Sequence, residues 1–347
     1  FGFSVGYGSY PGAIVGVQYR DRDMFGYGRP ITTSVEVSQR SYKGEILYED
    51  PYLFDTDFKL RASLSALTFD FDGYSKFETG LRLDLTRKIT KQYQLGLVLT
   101  ARHVEVTSAD IAPEFLGRTS YFVSSLGFTQ TLDLRENPLV APRGLIFDST
   151  LDVAASALGS QVEFVRSTAR VSYYLPFAAK NIQTPGVGED LASPPARRWI
   201  ERTSLALGAR AGIIHSLTNN GPNDERDIPI DERFFNGGST TVRSFAERDL
   251  GPQDLSDHPI GGEFFTIFNA EYTFPLYGEL LGAVFVDAGN LLPSSEDPGL
   301  NDLRYAIGLG LRYQLPIGPI RLDYGVNPDR RPTEDFGSFQ FRFGFPF

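Results

Sequence analysis

The chain has no cysteine, so neither a disulfide framework nor a thiolate metal site can organise it. It has one methionine and one tryptophan in 347 residues, and only three histidines, His103, His215 and His258. Metal centres and general-base chemistry that rely on imidazole therefore have few candidates. Basic residues are also few: 33 Lys and Arg face 43 Asp and Glu, for a formal charge of -10. That balance opposes nucleic acid as a partner, because phosphate backbones require clustered cations. No run approaches the roughly 20 apolar residues of a membrane-spanning helix. No basic segment followed by an apolar one opens the chain at Phe1, which starts abruptly inside a strand-like pattern, so upstream residues are expected.

What is abundant is glycine, at 35 residues, phenylalanine, at 28, and tyrosine, at 17. Many aromatics with no apolar runs and a slightly negative mean hydropathy fit strands with one face in lipid and one in a hydrated lumen. The last eleven residues state the pattern most plainly. Phe339, Phe341, Phe343, Phe345 and Phe347 alternate with Gln340, Arg342, Gly344 and Pro346, which puts five rings on one face. The closing strand of a soluble sandwich would rarely present so uniform an aromatic row.

Alternation recurs throughout. Phe1, Phe3, Val5 and Tyr7 alternate with Gly2, Ser4, Gly6 and Gly8, and Leu205, Leu207, Ala209 and Ala211 alternate with Ala206, Gly208, Arg210 and Gly212. The longest case runs Leu303, Tyr305, Ile307, Leu309, Leu311, Tyr313 against Arg304, Ala306, Gly308, Gly310, Arg312, Gln314. Arg304 and Arg312 share a face that lipid would penalise and a lumen tolerates. Strands are predicted near 1-9, 12-22, 30-41, 43-49, 56-70, 75-88, 92-107, 118-134, 143-156, 163-177, 199-215, 263-275, 280-290, 302-316, 319-327 and 337-347. These 16 segments predict an all-β, antiparallel transmembrane β-barrel, with residues 1-347 as a single domain and closure removing the sheet edges. Short turns such as Pro316-Ile317-Gly318-Pro319 are placed on the periplasmic side. Two connections are long: 178-198, a Pro-, Gly- and Ser-rich periplasmic turn, and 216-262, an extracellular loop. The second contains D-E-R-F-F-N-G-G-S-T-T-V-R-S-F at 231-245, too aromatic for a solvated tail.

Little reads as chemistry. His258 stands beside Asp257 and near Ser256, but catalytic triads are assembled from separated positions because adjacent side chains point apart. Asp50, Asp55, Asp57, Asp70 and Asp72 read as solvated loop acids, with calcium bridging lipopolysaccharide a minor alternative. Gly237-Gly238-Ser239 lacks the Lys-Ser/Thr and the helix of a phosphate loop. The chain is read as a non-enzyme with no catalytic residue, metal site or cofactor.

Four motifs carry a resemblance: F-F-N-G-G-S-T-T-V-R-S-F at 234-245, A-E-Y-T-F-P-L at 270-276, F-V-D-A-G-N at 285-290 and G-L-R-Y-Q-L-P-I-G-P-I-R-L-D-Y at 310-324. In order and spacing the chain resembles the Omp85 superfamily of outer-membrane assembly and translocation barrels, in its BamA- and TamA-like branch. The resemblance implies that 216-262 is loop six, folded back into the lumen, with Val242, Arg243, Ser244 and Phe245 as its signature. It implies that Arg243 meets Asp287 and Glu271 on the inner wall. Glu271 shares a strand face with Asn269, opposite Phe268, Tyr272 and Phe274, which turns it inward. Ser244 stands where the family usually has glycine, and a serine fits only where the backbone does not need positive φ. Upstream POTRA domains are expected from the resemblance.

The implied function is insertion and folding of β-barrel proteins, without ATP, in the outer membrane of a Gram-negative bacterium. The implied partners are unfolded outer-membrane proteins, the lipid bilayer with its lipopolysaccharide, and periplasmic or lipoprotein accessory subunits. Glycine weakens a strand and proline lacks a donor. Gly2, Gly6 and Gly8 on the first strand and Phe343, Phe345, Pro346 and Phe347 on the last are therefore read as the lips of a lateral seam. A two-partner-type secretion pore and a passive channel remain as alternatives.

Overall fold

The structure, a computed structural model, describes residues 1-24, 26-136, 143-177, 202-218, 228-313, 315 and 320-343. Period-two patterning resolves into one antiparallel sheet of 16 strands, each paired with its sequence neighbours. The first eight are β1 (Gly2–Gly8), β2 (Gly12–Asp21), β3 (Ile31–Ser38), β4 (Ser41–Asp50), β5 (Phe58–Asp70), β6 (Tyr74–Lys88), β7 (Tyr93–Ser108) and β8 (Ser120–Asp133). The rest are β9 (Gly144–Ala154), β10 (Phe164–Pro176), β11 (Ser204–Ser216), β12 (Phe264–Tyr277), β13 (Leu280–Leu292), β14 (Arg304–Tyr313), β15 (Ile320–Val326) and β16 (Gly337–Phe343). The 178-198 turn, the Pro316–Pro319 turn and Phe345, Pro346 and Phe347 lie outside the described residues.

In β14 buried and exposed residues alternate at every position. Arg304, Ala306, Gly308, Gly310 and Arg312 face inward, while Tyr305, Ile307, Leu309, Leu311 and Tyr313 form an apolar outer surface. An apolar outer band around a polar interior is the arrangement a bilayer demands of a barrel. Among the described residues no helix is long and apolar enough to cross a membrane.

The sheet does not close as the strand count alone predicts. Among the described residues β1 pairs only with β2, and β16 only with β15, which leaves one unsealed seam. Side chains span it instead. The Ser9 hydroxyl accepts from the Phe341 backbone N–H at 2.8 Å and donates to the Phe341 carbonyl at 3.3 Å. The Tyr7 and Phe341 rings meet edge to face at 5.9 Å.

Of the connection between β11 and β12, residues 228-263 enter the barrel and supply much of its core. Ile228, Ile230 and Ile260 from this loop pack on wall residues Tyr121, Phe164 and Ile214. A one-turn helix, α1 (Pro113–Leu116), adds Leu116 to the same cluster.

Candidate functional site

The tip of loop six is shaped by Gly237 and Gly238, at φ 109° and 95°, where side-chain-bearing residues are strained. A Cβ on Gly237 would also lie 2.2 Å from the Ala246 carbonyl oxygen. The Gly237 N–H donates to Thr241 Oγ1 at 2.8 Å, which closes the turn and aims the next residues at the wall. Val242 and Phe245 then pack with Phe285, Leu291 and Ala306.

Between those apolar residues Arg243 is 1% exposed. Its Nε and Nη2 donate to the two carboxylate oxygens of Asp287, each at 2.8 Å, and its backbone N–H to Oδ2 at 3.1 Å. Its Nη1 donates to Glu271 at 2.6 Å. This is the planar fork that suits guanidinium and carboxylate, and a lysine ammonium could not reproduce it. The guanidinium also lies 3.5 Å from the centre of the Phe285 ring. Burial works against the Arg243 charge, but Asp287, Glu271 and Asp323 hold it more firmly protonated than a free arginine.

The cluster extends beyond the expected pair. Arg312 donates to Glu271 at 2.9 and 3.1 Å and pairs with Asp323 at 2.6 Å, and Arg321 reaches Glu271 at 3.0 Å. Three guanidiniums thus meet the three carboxylates of Glu271, Asp287 and Asp323, so the buried charges balance. Asn269 ties the loop to this cluster, donating to the Thr241 carbonyl at 2.7 Å and to Asp287 at 2.8 Å. Ser244 is not among the residues with positive φ, and its hydroxyl donates to the Tyr305 carbonyl at 2.9 Å. Serine therefore replaces glycine here without strain and adds a bond. Beneath it Gly325 allows the loop backbone close approach: a Cβ there would lie 2.6 Å from the Arg243 carbonyl oxygen. Gln340 on β16 donates to the Phe245 carbonyl at 2.9 Å and so couples the tip to one lip of the seam.

Two further anchors hold the base of the loop. Glu232, 1% exposed, accepts from Arg102 at 2.6 and 2.7 Å and from Arg166 at 2.7 Å, while Asp231 pairs with Lys76 at 3.0 Å. Arg248 is sandwiched between Phe71 and Phe235, 3.9 and 3.4 Å from their ring centres, and donates to the Tyr74 hydroxyl at 2.6 Å.

Val242, Arg243, Ser244, Phe245, Glu271 and Asp287 are thus brought together. Gly2, Gly6 and Gly8 lie on the lumen side of β1 and border the seam rather than this cluster. The sequence reading did not assign Asp323, Arg321, Asn269, Gln340, Ser9 or the Glu232 anchor. Arg321 and Asp323 sit two apart within a quoted motif, so their common face was a usable signal. His258 faces Asp254 rather than its sequence neighbour Asp257, with its backbone N–H at 2.9 Å and its Nδ1 at 3.4 Å.

Comparison with known proteins follows the same lines. Residues 23–347 match the Omp85 superfamily domain. The chain is 23% identical over 355 residues to the outer membrane protein assembly factor BamA of Nitratidesulfovibrio vulgaris, covering 98% of this chain and 41% of that protein. It is 24% identical to a SAM50-like protein of Schizosaccharomyces pombe, covering 93% of this chain and 66% of that one. The chain therefore spans less than half of the bacterial relative's length. Among solved structures, BamA from Haemophilus ducreyi lacking POTRA domains 1-3 superposes with a TM-score of 0.79 at 17% identity. That match covers 98% of this chain and 68% of that one. CdiB from Acinetobacter baumannii superposes at 0.57 with 14% identity, covering 98% and 57%. The chain belongs to the Omp85 superfamily and is an integral outer-membrane β-barrel of the Gram-negative kind.

Proposed function

We propose that this barrel inserts and folds other β-barrel proteins by accepting their strands at the β1–β16 seam. The observation that carries the reading is the seam itself, where Ser9 and Tyr7 contact Phe341 but no backbone ladder joins the two strands among the described residues. An unpaired strand edge offers rows of N–H and C=O groups, and strand addition satisfies them without ATP or covalent chemistry. The lumen face of β1 carries Gly2, Ser4, Gly6 and Gly8, while Phe3, Val5 and Tyr7 face outward. An incoming strand therefore meets little steric opposition inside and finds aromatic neighbours outside. Unfolded outer-membrane proteins are the substrates on this reading, and upstream POTRA domains and accessory subunits deliver them.

Loop six acts as a strut in this scheme. It braces β12 to β15 through the Arg243 cluster and touches β16 through Gln340, so the wall beside the seam keeps its shape while the edge opens. Photo-crosslinkers placed along residues 1-9 test the proposal. A nascent barrel protein captured there during assembly supports it. Capture only inside the lumen, together with large stable conductance in planar bilayers, would support the secretion pore or passive channel instead.

A further inference from the structure

Arg248 of loop six adopts φ 70°, in the left-handed region that favours glycine, although it carries one of the longest side chains. A bulky residue keeps such a backbone where its surroundings fix it. Here the guanidinium lies 3.4 Å from the centre of the Phe235 ring and 3.9 Å from that of Phe71, and it donates to the Tyr74 hydroxyl at 2.6 Å. The contact does not end at Phe71. Its ring stacks on Phe69 at 4.4 Å, and Phe69 stacks on Tyr10 at 5.9 Å with the planes 14° apart. Arg40 lies 4.5 Å from the centre of the Tyr10 ring and is fixed by Asp72 at 2.7 Å.

Strand pairing alone does not bring these rings together. Tyr10 belongs to the turn between β1 and β2, and Phe69 to the end of β5, with β3 and β4 between them. At ordinary strand spacing β2 and β5 are roughly 14 Å apart, so the stack is a cross-link over the inside of the wall. Its two ends reach the two lips of the seam. Tyr10 follows Ser9, which bonds the Phe341 backbone. Arg248 stands three positions after Phe245, whose carbonyl accepts from Gln340 on β16 at 2.9 Å. Residues 245-248 therefore touch the β16 lip directly and the β1 lip through three rings.

We propose that Arg248 is a positioning residue for the β1 lip: through Phe71, Phe69 and Tyr10 it ties the β1–β2 turn to loop six, so that one segment of the loop sets the separation of both lips. The use of this tie rests on the strand-accepting reading above, in which the lips part to admit a strand. The tie parts at Tyr10 and Phe69, the longest of its ring contacts, and not at the Arg248 clamp, which has two rings and a hydrogen bond.

The test measures the seam itself. Val15 on β2 and Leu322 on β15 flank it, are 54% and 45% exposed on the outer face, and take no part in the stack. The chain has no cysteine, so Val15→Cys and Leu322→Cys carry the only two spin labels, and their distance distribution is read in the full-length protein in lipid nanodiscs. Tyr10→Ala and Arg248→Gly are each expected to raise the population at longer distance about five-fold, the change one cation–π contact supports. Tyr10→Phe should match the parent, since the stack uses the ring. Glycine suits the backbone at 248, and Tyr10→Ala leaves the loop anchors intact, so loop six should keep its protease protection in Tyr10→Ala. Rungs in series are lost once, so the double variant should widen no further than either single one. An unchanged distribution in Tyr10→Ala or in Arg248→Gly overturns the tie, as does a double variant that adds the two effects. None of these results decides strand acceptance, which is read from insertion and not from distance.

Discussion

At Arg243 one side chain joins loop six to β12, β13 and β15, and its removal leaves Glu271 and Asp287 buried with fewer partners. Breaking one side of a buried pair costs about 3–5 kcal/mol. Arg243→Ala is therefore expected to release the loop tip, read as new protease cleavage within 217-263, while the strands stay resistant. Arg243→Lys should release it too, since an ammonium cannot make both bonds to Asp287. Gly325→Ala tests the same docking from the wall. Its Cβ would sit 2.6 Å from the Arg243 carbonyl oxygen and 2.9 Å from the Ser244 nitrogen. Overpacking of this kind costs about 1–3 kcal/mol, so the same cleavage pattern is expected with Arg243 intact; an unchanged pattern would mean that the contact is not tight.

Among the elements, β14 shows most directly how sequence becomes wall. Leu309 is 67% exposed on the outer face, and an arginine there would meet lipid at a cost of about 2–4 kcal/mol near the bilayer midplane. Leu309→Arg should lower the yield of heat-modifiable, membrane-inserted barrel, whereas Leu309→Phe should not. Loop six carries the pH dependence, with opposite signs at two carboxyls. At Asp249 burial, reinforced by Asp335 and Glu334, raises the pKa from 3.8 to about 6. Its contribution to docking is complete below the ordinary value and is lost as pH rises through about 6. At Glu232 burial raises the pKa, but Arg102 and Arg166 outweigh it and bring it from 4.5 down to about 2. That contribution is present above the ordinary value and is lost as pH falls through about 2. Protection of the loop from protease is thus expected to be greatest near pH 4, between the two ordinary values, and to weaken towards neutrality. Asp249→Asn should abolish the weakening; if the wild type shows none, the Asp249 environment is misjudged.

What could be read in advance follows from separation along the chain. Strand alternation is local, so β14 and its inward Arg304 and Arg312 were legible from a dozen residues. Arg243, Glu271 and Asp287 were legible only through motifs, since residues 28 and 44 positions apart reveal no contact by themselves. The Glu232 anchor joins Arg102 and Arg166 across 130 and 66 positions, with no local pattern to mark it. Ser9 and Phe341 are 332 apart and meet only because the sheet curls round on itself.

For the whole molecule, the central claim is that the seam must part for the barrel to work. Ser9 and Phe341 are the positions at which to hold it shut, because the Ser9 hydroxyl lies 2.8 Å from the Phe341 nitrogen. The decisive measurement is insertion of a barrel substrate by the Ser9→Cys/Phe341→Cys protein, reconstituted in vesicles and assayed oxidised and then reduced. The account predicts that insertion is lost when the disulfide forms and recovers on reduction, with each single variant active throughout. Full insertion by the disulfide-locked barrel would contradict it.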